Sequence, residues 1–171
     1  MKEELNLKCP YKVYLDKESS IYSFTNKYDI EYMILFSQYD EIFLTSTTEK
    51  KVEKVYDLTI HKHSDKKDVL DSDTGLTIKK ITENFFKDKD NSIFYTCNSV
   101  DNRQHKRAKR FSRWSEEISQ EINVEHYQRK YNVSKISEKY PQYSGIIFKS
   151  DNSYSEDIKI QFDNTIDDWE D

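Results

Sequence analysis

A change of hydrophobic period near residue 70 restricts the fold more than any other feature. Before it, apolar and polar residues alternate in short segments at 11–15, 21–25, 30–36, 41–45 and 54–61, separated by the polar stretches LDKESS, NKYD and SQYD. Period two over four to eight residues, bounded by such turns, predicts strands with one face buried, and consecutive short turns predict an antiparallel meander of four or five of them. After it, Val69 or Leu70, Thr74, Ile78, Ile81 and Phe85 recur at helical spacing, with Asp71, Ser72 and Asp73 as candidate caps, which predicts a helix over 70–88.

The pattern then returns to strands. SIFYTC, within 91–98, is a continuous apolar run suited to a strand buried on both faces, and 122–131 and 144–149 read as two more strands. Near the end, Ile158, Ile160 and Phe162 alternate like a strand, whereas Ser153 and Glu156 spell a capping box and Ile158, Phe162 and Ile166 fit a helix, the preferred reading. The expectation is an α+β fold: a mostly antiparallel sheet with two main helices near 70–88 and 102–120 and a third helix at the C-terminus. With 171 residues and no linker composition, one domain over 1–171 is expected, ending in an acidic tail at 163–171. Thirteen Tyr and nine Phe supply the large side chains from which its core is built.

Charge narrows the function. Against a net charge of -5, the eleven positions from Arg103 to Arg113 hold six cations: Arg103, Lys106, Arg107, Lys109, Arg110 and Arg113. On a helix over 102–120, with Asp101 or Ser99 as its cap, Ala108, Phe111, Trp114, Ile118 and Ile122 fall on one inward stripe. Most of the cations then project from the opposite side, where an anionic partner could dock: an acidic protein surface, nucleic acid or a phosphate ligand. Arg107 sits at the stripe's edge and must find a carboxylate, a phosphate or carbonyls. The plain alternative is that the face is solvated or paired internally, since the chain has 32 acidic residues. Nucleic acid is disfavoured because the net charge is negative and Phe111 and Trp114 point inward. The acidic end, IDDWED, either docks on the basic face or stays a disordered tail.

Other chemistry is thin. With two glycines in the chain there is no phosphate-cradling loop and no dinucleotide fingerprint. His61 and His63 share a strand face but make only two ligands, so no metal site is assigned. Cys97 with His105 is a nucleophile and base only on paper, and Cys97 reads better as a buried small hydrophobe. The N-terminus, MKEELNLKCPYK, lacks the apolar run of a secretory signal and no segment is long enough to span a membrane, so a cytoplasmic location and free thiols at Cys9 and Cys97 are expected.

Two resemblances add to this. CPYKVYLDKES, IYSFTN, IEYMILF, IFYTC and DNRQHKRAKRFSRW together resemble an uncharacterised bacterial family of small proteins, a domain of unknown function. That resemblance implies a small stand-alone cytoplasmic protein with no assigned activity, and it singles out Asp101, Arg103, Arg107, Phe111 and Trp114. The order of helix, buried strand, helix and two strands is also similar to the second half of GNAT-type N-acetyltransferases. This implies acetyl-CoA bound near Gly75 and Asn102, with Tyr127 or Tyr131 as general acid. DSDTGLT departs from that family's glycine-bearing basic loop, because Asp71 and Asp73 would repel a pyrophosphate. A binding or regulatory module needing no cofactor is therefore the primary expectation, and a degenerate acyltransferase the alternative.

Overall fold

The structure, a computed structural model, describes residues 1–39, 52–66, 71–133 and 141–170. Among them are eight strands and three helices, and the architecture is α+β as the periodicity predicts. The expected strand at 41–45 and the helical positions Val69 and Leu70 lie outside the described residues. Contacts divide the chain into two compact units, one of residues 1–37 and 57–87, the other of 38–56 and 88–171.

The first unit is built on a meander, β1 (Lys2–Leu5), β2 (Val13–Asp16), β3 (Ile21–Thr25), β4 (Glu31–Gln38) and β5 (Val55–His63), adjacent in that order, of which Gln38, Val55 and Tyr56 are counted in the second unit. Register pairs Tyr22 with Ile34 and Phe24 with Tyr32, which gathers the aromatic side chains on one sheet face. There Phe24 stacks on Tyr32 at 5.2 Å between ring centroids, and Phe36 stacks on Phe85 of α1 (Ser72–Phe85) at 3.9 Å.

Asp71 is the N-cap of α1, one of the three candidates. Its side chain, 1% exposed, accepts from the Tyr11 hydroxyl at 2.7 Å, the Thr74 hydroxyl at 2.7 Å and the Asp73 N–H at 3.1 Å, with Lys27 at 3.8 Å. Burial alone would push this carboxyl up, but the hydrogen bonds from Thr74, Tyr11 and Asp73, with the Lys27 charge, hold it below the usual carboxylate range. The helix is shorter than predicted at both ends. It stops where the Phe86 N–H bonds back to Thr82 and Asn84 carbonyls.

The second unit is a three-layer sandwich. Its strands, β6 (Ser92–Cys97), β7 (Val124–Tyr131) and β8 (Gln142–Lys149), run antiparallel in the order β6-β8-β7. Side chains alternate across this sheet. Phe94, Tyr131, Ile146 and Phe148 face α3 (Ser155–Glu170), where they bury Ile158, Phe162 and Ile166 and take Trp169 against them. The residue set that fits both a strand and a helix is thus a helix, because Ile158, Phe162 and Ile166 all reach the same apolar sheet face. The opposite sheet face carries Tyr95, Ile147, His126 and Gln128 and is covered by α2 (Gln104–Ser119), whose buried residues are Gln104, Ala108, Ser115 and Ile118.

Candidate functional site

Beneath the middle of helix α2 lies a buried tyrosine of the sheet, Tyr95. Register places Tyr95 opposite Gly145 and Gly145 opposite Gln128, a row across all three strands. Tyr95 lies over the glycine so that its hydroxyl, on β6, reaches β7: Gln128 Oε1 is at 2.7 Å and His126 Nε2 at 2.6 Å. The protonation that satisfies all three has His126 Nε2–H donating to Tyr95 and the Tyr95 hydroxyl donating to Gln128. The ring stacks on Phe111 of α2, centroids 3.8 Å apart, and Ser112 of α2 donates to Gln128 at 3.5 Å. Burial raises the Tyr95 phenol and lowers the His126 imidazolium, so both stay neutral at physiological pH.

With that face held down, the other face of α2 is turned to solvent. Arg103, Lys106, Lys109, Arg110 and Arg113 are all exposed, as the periodicity predicts. Arg107, at the stripe's edge, bonds the Asp101 carboxylate and, at 3.3 Å, the Asn98 carbonyl. Arg113 has Glu117 at 3.7 Å, one turn on. Arg103, Lys106, Lys109 and Arg110 have no carboxylate partner among the described residues.

The expected cap is corrected. Arg103 itself occupies the N-cap position and makes no side-chain cap bond. Asp101 lies two residues too early, and its Oδ1 takes the Arg103 N–H at 3.1 Å while Oδ2 holds Arg107. Ser99 contributes only its carbonyl, to Asn102 N–H at 3.1 Å. Asn102 turns the chain at φ 56°, a left-handed conformation that asparagine tolerates. The first turn of α2 contains no acidic residue, and the Asp101 carboxylate just before it is engaged by Arg107 and the Arg103 N–H.

The remaining candidates are dispersed. Gly75 lies inside α1 rather than in a loop before it, and it belongs to the first unit, while Asn102 belongs to the second. Tyr131 is buried and bonded to Ser144 at 2.9 Å, and Tyr127 bonds Glu125 at 3.1 Å. His105 Nδ1 meets the Tyr143 hydroxyl at 2.5 Å, and burial pushes the Cys97 thiol up to about 11 despite the nearby Arg107 charge. His61 and His63 are exposed on β5, and no cluster of three metal-ligating side chains occurs among the described residues. Cys9 and Cys97 are free, and no helix among the described residues is long and apolar enough to cross a membrane.

The acidic end has its own partner. Arg129 on β7 reaches Asp167 at 2.8 Å, Asp163 at 3.3 Å and Glu170 at 3.6 Å, while Trp169 packs edge-on against Phe94. Sequence reasoning missed both Arg129 and the Tyr95 row. The one signal for the latter was Gly145 amid a run of bulky β-formers, where a glycine marks close approach by another group.

These features define a class: an α+β protein whose second unit presents an exposed basic helix on a sandwich locked by a buried tyrosine. The chain belongs to the family of unknown function DUF6169, whose model matches residues 71–164, from the N-cap of α1 into α3. IFYTC and DNRQHKRAKRFSRW fall inside that match, as do Tyr95, Gly145 and every cation of α2, whereas CPYKVYLDKES, IYSFTN and IEYMILF precede it. No curated protein and no solved structure matches the chain, and none of the comparisons links it to the N-acetyltransferases.

Proposed function

We propose that this protein is a binding module that docks the exposed face of α2 onto an acidic protein surface. The observation that carries the reading is the set Arg103, Lys106, Lys109 and Arg110: exposed, without a carboxylate among the described residues, and gathered in the N-terminal half of the helix, with Arg103 and Lys106 at the positive end where cations are least stable. Side chains kept against the stability of their own helix are explained by a contact outside it. An acidic polypeptide fits better than a nucleic acid, because Phe111 stacks on Tyr95 and Trp114 packs edge-on against Phe111, which leaves no platform for base stacking. No cofactor enters the reading, and a cytoplasmic location goes with it.

The test is fluorescence anisotropy with labelled polyglutamate and with a DNA duplex at low and physiological salt. Polyglutamate is expected to bind, and the Arg103→Glu, Lys106→Glu, Arg110→Glu triple variant to lose at least about tenfold in affinity. A triple variant that binds as well as the parent refutes the reading. Preference for the duplex, with a log-log salt slope near -0.9 per phosphate contacted, transfers the site to nucleic acid.

A further inference from the structure

The charged stripes of α2 and α3 match each other in reverse. Read from its N-terminus, the exposed face of α2 presents Lys106, Lys109, Arg113 and Glu117. Read from its C-terminus, α3 presents Glu170, Asp167, Asp163 and Lys159. Both series step by three, four and four residues, so at about 1.5 Å per residue the charges fall level when the helices lie antiparallel. Each position meets its opposite sign, including the reversal at the fourth, where Glu117 faces Lys159. Antiparallel packing also sets the two macrodipoles against each other favourably.

The two stripes cannot meet within one chain, because α2 and α3 cover opposite faces of the same three-stranded sheet. Nor is the α3 stripe used up. Arg129 is one cation shared by three carboxylates, and the Asp163 and Asp167 side chains remain 62% and 61% exposed. Lys159 is shared between Glu125 and Glu156, and among the described residues the ion-pair partner of Glu117 is Arg113.

We propose that the acidic surface recognised by α2 is α3 of a second copy of this chain. This rests on the reading of α2 as a docking face and names its partner. Because the two stripes lie on opposite faces, the contact is head-to-tail, and each added copy leaves one basic and one acidic face open for the next. A contact made of exposed charges is weak and is screened by salt.

Sedimentation velocity of the full chain, over a wide concentration range at low and high salt, tests it. Association at low salt that reverses at high salt is expected. It should vanish in Lys106→Glu, Lys109→Glu, Arg113→Glu and in Asp163→Lys, Asp167→Lys, Glu170→Lys, and return when the two triple variants are mixed, since each then offers what the other lacks. If the second variant fails to fold for want of its Arg129 pairs, Asp163→Asn with Glu170→Gln keeps Asp167 on Arg129 and should weaken association. A parent chain that stays monomeric at low salt overturns the proposal, as does association indifferent to these substitutions. If that monomer still binds polyglutamate through α2, the docking reading stands and only the self-association falls; if it binds nothing, both fall.

Discussion

Substituting Gly145 by alanine tests the anchoring of α2 directly. An added Cβ would overlap the Tyr95 hydroxyl and Cζ and approach Cε1 to 2.6 Å. The ring has nowhere to go. Phe111 lies flat on its other side at 3.8 Å between centroids, and the hydroxyl is tied to His126 and Gln128. Overpacking of a core costs about 1–3 kcal/mol. Pushing the ring aside also breaks hydrogen bonds worth roughly 1 kcal/mol each and leaves buried polar atoms unpaired. A loss of about 3–5 kcal/mol is expected, or on the order of 6–20 °C in melting midpoint for a chain of this length. Thermal and guanidinium unfolding followed by circular dichroism reads it, and the control is the Tyr95→Leu background, where the same alanine should cost about 1 kcal/mol or less. Near-additive behaviour of the two substitutions, or a Gly145→Ala chain as stable as the parent, refutes the packing of Tyr95 over the glycine.

Three further outcomes concern the first unit. Asp71→Ala removes the cap of α1 and strands the Tyr11 hydroxyl, and should cost about 2–4 kcal/mol in urea unfolding. Because the folded-state pKa of Asp71 lies below its unfolded value, its contribution is present in full above the unfolded pKa of about 4 and fades as pH falls through the folded one, so the stability gap between parent and Asp71→Asn should close in acid. Gly75→Ala should stabilise by about 0.5–1 kcal/mol, since Gly75 is helical, has no positive φ and an added Cβ meets nothing within 4 Å. A measurable loss there would give this glycine a role that a helix interior does not require.

What was legible in the sequence was what repeats locally. The meander, the three helices and the inward stripe of α2 follow from apolar spacing, and the need of Arg107 for a carboxylate or carbonyls follows from its place on that stripe. Strand β1 was not legible, because KEEL has no alternation to read; it forms as an edge partner of β2, where Lys17 meets Glu3 and Lys12 meets Glu4. The Tyr95 row was hidden for a different reason. It depends on the register of three strands, in which His126, Gln128 and Gly145 all lie more than thirty residues from Tyr95, and a one-residue slip would send each side chain to the other face. The partner of the acidic end was hidden likewise, since Arg129 precedes Asp163 by thirty-four residues. The expected caps of α2 failed because Asp101 is better used on Arg107 than on the first turn.

The charge order of α2 runs against its own dipole, and this gives a test of whether the helix is kept for binding or for stability. Lys106, Arg107, Lys109 and Arg110 occupy the first half and Glu116 and Glu117 the second, the reverse of what the macrodipole favours, and Lys106 with Arg110 and Lys109 with Arg113 set like charges one turn apart. Placing glutamate at 106 reverses both effects at once: an anion enters the first turn, and the repulsion with Arg110 becomes a Glu-to-Arg pair in the favourable orientation. Each effect is worth a few tenths of a kcal/mol, so Lys106→Glu should raise stability by about 0.5–1 kcal/mol, or roughly 1–4 °C. The same substitution should weaken polyglutamate binding. A basic residue that served only solvation or internal pairing would give no such opposition, so a Lys106→Glu chain that is more stable and binds less is the signature of a docking face. A Lys106→Glu chain that is less stable would mean that this lysine contributes to the fold, and the argument from misplaced charge would fail with it.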